Sequence, residues 1–266
     1  MIVDLNGKQI ESEAARLDPS DRGFTLGDGL FETIRVKSGK PKRLEAHLAR
    51  LRAGAKVLAM TVPTTDKGIA KRVDSVVSAN GLTDAAVRLT LSRGPGARGL
   101  LPPEANAPTL LITATPLPPP PEAARAIIAY STRRNEQSPL AKIKSLSYLD
   151  NIIARQEAAG YGANEALLLN TQGRLAEATI ANLFLLIDGL LVTPSVEEGA
   201  LPGVVRAELI AKFRAEEGRL EVNDLGRGEE AFLTNALGVR PLIEVAGQPI
   251  GDGQPGLVTQ MLAARL

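Results

Sequence analysis

The chain has 266 residues and a mass of 28.1 kDa, and its 44% hydrophobic content is enough to fill one large core or two modest ones. Lys and Arg number 31 against 30 Asp and Glu, a net charge of +1, so no overall field draws the chain to nucleic acid or to an anionic membrane. Cysteine is absent and histidine occurs once, which removes disulfides, thiol nucleophiles and Cys-based or His-rich zinc sites.

The opening residues Met1-Ile-Val-Asp-Leu-Asn lack the basic region and long apolar run of a signal peptide. No stretch approaches the ~18 apolar residues of a membrane span. A cytoplasmic location is the expectation. In chain order, the pattern predicts a strand over 1–5, a hairpin over 33–42 turning at Ser38-Gly39, helices over 43–60 and 65–80, and strands over 86–92 and 109–115. This is an α+β arrangement. Pro116-Leu-Pro-Pro-Pro-Pro-Glu then places five prolines in six residues, too few backbone donors for a strand or helix interior, so it reads as a stiff connector. A small amino-terminal domain over 1–115, a linker over 116–122 and a larger domain over 123–266 follow.

Beyond the linker come a strand over 126–131 and the extended run Ser138-Pro-Leu-Ala-Lys142-Ile-Lys144. A helix over 148–159 is opened by Ser147 and Asp150 as a capping pair. Next is a meander over 165–169, 175–187 and 190–193, with turns at Gln172-Gly173 and Asp188-Gly189. A helix over 204–217, a short helix near Glu229, two closing strands and a helix over 257–266 complete the chain. Two stretches fit G-x-G-x-x-G, beginning at Gly94 and at Gly251. Neither leads into a helix inside a βαβ unit, so both read as turns.

The informative residues are a lysine and a glutamate. Glu177 lies within an otherwise apolar strand, in line with Leu175, Thr179 and Leu183. A carboxylate there requires a cationic partner, either an ordinary Arg or Lys or the N–H of a pyridinium. Lys144 precedes a predicted helix N-terminus, where the dipole and desolvation disfavour its ammonium form and favour imine chemistry. Lys142 shares its strand parity, and the residues alone do not choose between them. An amine nucleophile and a buried carboxylate are what pyridoxal phosphate asks of a protein. The single histidine, His47, falls among Leu44, Leu48, Leu51 and Leu58 at helical spacing and reads as packing rather than catalysis. Leu201-Pro-Gly203-Val204-Val205 leads directly into a helix and could offer backbone amides to an anion.

Taken in order, Lys144-Ser-Leu-Ser-Tyr-Leu, Asn164-Glu-Ala-Leu, Leu175-Ala-Glu177-Ala-Thr-Ile-Ala-Asn182-Leu-Phe184, Thr193-Pro194 and Leu201-Pro-Gly-Val-Val-Arg206 resemble the class IV aminotransferase family. The amino-terminal stretches from Asp21 to Arg35 and from His47 to Leu51 resemble it as well. The resemblance implies the two-domain α+β or α/β architecture of the fold type IV pyridoxal phosphate enzymes, with the cofactor between the domains, and a homodimer. It implies that Lys144 forms the Schiff base and acts as general base, and that Glu177 pairs with the pyridine nitrogen. Arg50, the amides of Val204 and Val205 and the Thr234 hydroxyl would hold the phosphate, while Phe31, Arg93 and Arg98 would face an amino acid or amine substrate. Phe232-Leu-Thr234-Asn235-Ala-Leu and Leu91-Ser-Arg93-Gly-Pro-Gly-Ala-Arg98-Gly99 are most similar to the aminodeoxychorismate lyases of the family. D-amino-acid, branched-chain and (R)-amine aminotransferases are the alternative.

Overall fold

The computed structural model describes residues 1–104 and 107–265. Two compact units emerge: Met1–Pro119 with Ile143–Ser147, and Pro120–Lys142 with Tyr148–Leu266. The sequence pattern assigned Lys144 to the carboxy-terminal part, whereas its five-residue segment belongs with the first unit. Backbone pairing explains this: Leu30 bridges Ser145, the Phe31 N–H donates to the Lys144 carbonyl (2.9 Å), and the Leu146 N–H donates to the Gly29 carbonyl (2.9 Å).

The first unit contains strands β1 (Ile2–Leu5), β2 (Lys8–Glu11), β3 (Gly29–Lys37), β4 (Lys40–Pro41), β5 (Ala85–Ser92) and β6 (Thr109–Pro116). Its helices are α1 (Arg22–Leu26), α2 (Leu44–Val57) and α3 (Asp66–Ala79). The strands form one antiparallel sheet in the order β2-β1-β6-β5-β3-β4. Strand alternation divides it. Leu30, Ile34, Val36, Val87, Leu89 and Leu91 join a core with Leu48 and Leu51 of α2 and Ile69, Val73, Val76 and Val77 of α3. Each such side chain, withdrawn from water, contributes about 1.5–3 kcal/mol. The alternate positions Phe31, Thr33, Arg35, Arg88 and Thr90 therefore share the opposite face. The β3–β4 turn falls at Ser38-Gly39, where both residues take positive φ (51° and 71°), the geometry that matches the twist of a two-residue hairpin.

The second unit contains β7 (Ala124–Ile128), α4 (Leu149–Gly160), β8 (Glu165–Leu169), β9 (Leu175–Ala178), β10 (Asn182–Ile187), β11 (Leu190–Pro194) and α5 (Val204–Phe213). β12 (Glu216–Gly218), β13 (Glu230–Asn235), β14 (Gly238–Val245), β15 (Gln248–Pro249) and α6 (Leu257–Arg265) follow. A mixed sheet runs β12-β11-β10-β13-β14-β7-β8-β9, with β15 paired to β14. β7 and β8 are parallel, and the connection between them carries α4, whose Ala154 and Ala158 pack on Ala166 and Leu168. Phe184 and Phe232 stack with centroids 5.1 Å apart, beneath Val205 and Leu209 of α5.

Four sequence expectations change here. The strand over 175–187 is two strands, because Thr179–Ala181 leave the ladder between β9 and β10. α4 begins at Leu149 with Tyr148 at its N-cap and no capping side chain, so Ser147 and Asp150 do not form the expected box. The helix from Val204 ends at Phe213 because Arg214 turns left-handed (φ 51°), and Glu216–Gly218 add a strand parallel to β11. Val222–Arg227 form 3₁₀ turns, and Glu229 leads into β13 rather than lying in a helix. Among the described residues, no helix is long and apolar enough to cross a membrane.

Candidate functional site

In the first unit, the segment Ile143–Ser147 is fixed along the start of β3, and Ile143 is anchored in the core against Gly54. This leaves the half-buried Lys144 with its Nζ 4.4 Å from the centroid of Phe31. The Arg88 guanidinium carbon lies 4.0 Å from the same centroid. Lys142, the competing lysine, is exposed and gives its Nζ to both carboxylate oxygens of Glu197 (2.8 and 3.0 Å).

Glu32 lies on the other side of β3, buried against α2. It accepts the Nε and Nη2 of Arg50 (2.8 and 2.6 Å), and its Oε2 is 2.7 Å from His47 Nδ1. Burial pushes the Glu32 carboxyl up, but hydrogen bonds and charge from Arg50 and His47 outweigh it, so the group sits below the usual glutamate range. The single histidine is thus a buried member of an ion cluster, in keeping with a packing role, and Arg50 leaves α2 with two of its nitrogens already committed.

The two loop arginines have different fates. Arg93 is buried, with Nε and Nη2 on the two oxygens of Asp28 (2.7 and 3.0 Å) and further bonds to the carbonyls of Leu58 and Ala59. Its three nitrogens are all engaged inside the first unit. Burial pushes the Asp28 carboxyl up, and the hydrogen bonds from Arg93 and Arg22 bring it below its ordinary value. Arg22 completes this node, donating from Nε to Asp28 (2.9 Å) and from Nη1 and Nη2 to the Gly99 and Leu100 carbonyls (both 2.8 Å). Arg98 is exposed on the loop that Arg22 tethers.

In the second unit, Glu177 on β9 is buried with Arg134 Nε at 3.1 Å, and its Oε2 accepts the Leu201 N–H (3.0 Å). The expected cationic neighbour therefore exists within the protein. The sequence reading did not single out Arg134, because an arginine in a loop normally reads as solvated. Leu201 continues the connection, as its carbonyl accepts Asn182 Nδ2 (2.8 Å) and Gly203 follows as the N-cap of α5. A Cβ on Gly203 would fall 2.0 Å from Asn182 Oδ1, so only glycine lets the chain pass here. The N-cap Gly203 offers no side-chain cap, so among the described residues the first-turn amides of α5, Val204 and Val205 included, have no N-cap side-chain acceptor. Asn182 pairs across the ladder with Thr234. The Thr234 hydroxyl is buried and has no hydrogen-bond partner among the described residues. A buried orphan hydroxyl across the ladder from the residue that ties down the approach to an uncapped helix N-terminus is the inventory of an anion cradle.

The family model for amino-transferase class IV matches residues 29–245. A Methanocaldococcus jannaschii protein that bears the name of a branched-chain-amino-acid aminotransferase is 35% identical, over 98% of this chain and 94% of its own length. The aminodeoxychorismate lyase of Bacillus subtilis is 31% identical, over 89% of this chain and 83% of its own. The solved T.th. branched-chain amino acid aminotransferase complexed with N-(5′-phosphopyridoxyl)-L-glutamate superposes with a TM-score of 0.91 at 27% identity, covering 99% of this chain and 92% of that one. Two sheets, each with its flanking helices, are the architecture of the fold type IV pyridoxal phosphate enzymes. The phosphate of such a cofactor suits the Thr234 and α5 cradle, and its pyridine nitrogen suits an acceptor such as Glu177. The chain belongs to the class IV aminotransferase family, and its cofactor is pyridoxal 5′-phosphate.

Proposed function

We propose that Lys144 is the point of covalent attachment of pyridoxal phosphate, that Glu177 accepts from its pyridine nitrogen, and that Arg50, the amides of Val204 and Val205 and the Thr234 hydroxyl hold its phosphate. The buried Thr234 hydroxyl, without a partner among the described residues, carries this reading, because a protein interior leaves such a group unpaired only where something else satisfies it. When bound, the cofactor supplies an electron sink for cleavage of bonds at the carbon bearing the substrate amine. The protein supplies the rest. Lys144 Nζ, held against Phe31, takes a proton from that carbon and returns it as general base and acid. Arg134 and the Leu201 amide orient Glu177 from behind, as outer partners orient a metal or cofactor ligand.

Within this chemistry we assign the protein as an aminodeoxychorismate lyase, converting 4-amino-4-deoxychorismate to 4-aminobenzoate and pyruvate, with Phe31 lining the substrate position. Support comes from the Phe232-Leu-Thr234-Asn235-Ala-Leu stretch, from exposed Arg98 as a partner for one substrate carboxylate, and from similarity to the Bacillus subtilis lyase. The second reading is an aminotransferase for branched-chain or D-amino acids or (R)-amines, favoured by the 35% identity to the Methanocaldococcus jannaschii protein. The enzyme is taken to work as a homodimer, on the same resemblance.

One experiment separates the two. Purified protein loaded with pyridoxal phosphate should be yellow, fix the cofactor on borohydride treatment, and lose that adduct in Lys144→Ala. Given aminodeoxychorismate and no keto acid, it should release pyruvate and 4-aminobenzoate. Conversion of the cofactor to pyridoxamine phosphate by D-alanine, L-leucine or an (R)-amine, without lyase product, moves the assignment to aminotransferase. A colourless protein that takes up no cofactor refutes both.

A further inference from the structure

Arg88 was not singled out by sequence, since an arginine in a strand usually marks a solvated face. Arg88 is exposed, yet its guanidinium is seated over an aromatic ring. On β5 it alternates with Val87 and Leu89, which enter the core, and so it lies on the sheet face shared by Phe31, Thr33, Arg35 and Thr90. Thr33 is its direct partner across the ladder, which sets Phe31 on the diagonal. The guanidinium carbon stands 4.0 Å from the Phe31 centroid, and Lys144 Nζ stands 4.4 Å from the same point. The two cationic centres can be no farther apart than those distances laid end to end. The two cations therefore share one aromatic neighbour, close enough together for the amine to serve the reacting carbon of a substrate while the guanidinium meets a carboxylate attached to it.

The other arginines offered by the sequence fit this task less well. Arg93 is consumed by Asp28 and two carbonyls. Both Arg98 and Arg88 are exposed, but Arg98 lies on a loop whereas Arg88 stands on a strand paired on both edges, by β3 and by β6, and such elements hold a ligating group more precisely than loops do. Arg35, two residues after Thr33 on the same face, adds a second positive charge to the local field. We infer that Arg88 binds the carboxylate attached to the reacting carbon of the substrate, and so selects amino acids over simple amines. Phe31 would form the apolar wall beside that carboxylate, while Arg98 keeps any second, distal carboxylate. The inference rests on the assignment of Lys144 as the reacting amine and names the group its substrate must carry.

The test uses the holoenzyme and a readout independent of turnover. Enzyme loaded with pyridoxal phosphate is titrated with pyruvate and with 4-methylvalerate, following the cofactor absorbance, and in parallel with 4-methylpentanamide, which has the same shape without the charge. Arg88→Ala and Arg88→Gln should weaken both carboxylates by roughly tenfold to a hundredfold, the range for a lost hydrogen bond to a charged group, and leave the amide unchanged. Arg88→Lys should recover part of the loss, and Arg52→Ala, which removes an equal charge from elsewhere in the first unit, should have no effect. Unchanged carboxylate affinity in Arg88→Ala, an equal loss for the amide, or no carboxylate binding by the wild-type holoenzyme would overturn the inference. A protein that takes up no pyridoxal phosphate overturns the proposed function and this assignment together. A loaded enzyme indifferent to Arg88 overturns this assignment alone.

Discussion

His47 Nδ1 and Glu32 Oε2 lie 2.7 Å apart, and each side chain is only 1% exposed. The same carboxylate carries two bonds from Arg50, so one glutamate holds a histidine and an arginine of α2 one turn apart. Removing the acid leaves the arginine without its counter-charge in a largely dry site. Glu32→Gln should destabilise the protein by about 3 kcal/mol, as for other broken buried pairs. Urea unfolding of the wild type and variant measures it, and a loss below ~1 kcal/mol would show the cluster to be better solvated than its burial indicates.

Thr234→Val separates two states of the same residue. Without ligand, the substitution deletes an unpaired buried hydroxyl and replaces it with a methyl group of similar size, so apoprotein should melt at the same temperature or higher. If the hydroxyl serves the cofactor phosphate, affinity for pyridoxal phosphate should fall by roughly ten- to a hundredfold. Opposite signs in apoprotein stability and cofactor affinity are the expected signature. A drop in both would mean that the hydroxyl is structural.

Glu177→Gln keeps the shape of the side chain and removes its charge. The cofactor should still be fixed by borohydride, while turnover falls by at least about a hundredfold, as when a preorganised electrostatic partner is lost. Equal rates in steady-state assays with either substrate class would count against its pairing with the pyridine nitrogen.

Glu136 provides a pH dependence. The Thr171 hydroxyl (2.6 Å) lowers its carboxyl most, burial works against it, and the Thr171 amide (3.0 Å) and Gln172 assist, bringing it to about 2. Its folded value is below the unfolded one, so the stabilisation is fully present above the ordinary glutamate value and is lost as pH falls toward about 2. Melting temperatures of wild type and Thr171→Val, recorded from neutral pH down to pH ~3, should converge as the acid range is entered. A constant gap would refute the linkage.

The hairpins and the helices of the first unit were legible because their signals are local: Ser38-Gly39 and Asp188-Gly189 turn where they must, and Leu48, Leu51, Val73 and Val77 recur at helical spacing. The choice between Lys142 and Lys144 was not legible, since strand parity is the same for both. Tertiary contacts separate them, one lysine meeting Glu197 and the other Phe31. The engagement of Arg93 with Asp28 was hidden for a related reason. Its partner Asp28 lies 65 residues away in sequence, and nothing near Arg93 announces that its charge is spent. The break at Thr179–Ala181 was hidden because apolar residues occupy both faces of the run from Leu175 to Ile187, so periodicity carries no mark of an interruption.

The return of Ile143–Ser147 to the first unit bears on how the protein is made. A ribosome that has released residues 1–119 has produced a body still missing the short stretch that lines β3, and the intervening turns must emerge before the nascent chain can supply it. Assembly of the two bodies is therefore interleaved rather than sequential. A gene cut at the proline run would yield an amino-terminal product without Ile143–Ser147, so fragment complementation should succeed only when the break falls elsewhere.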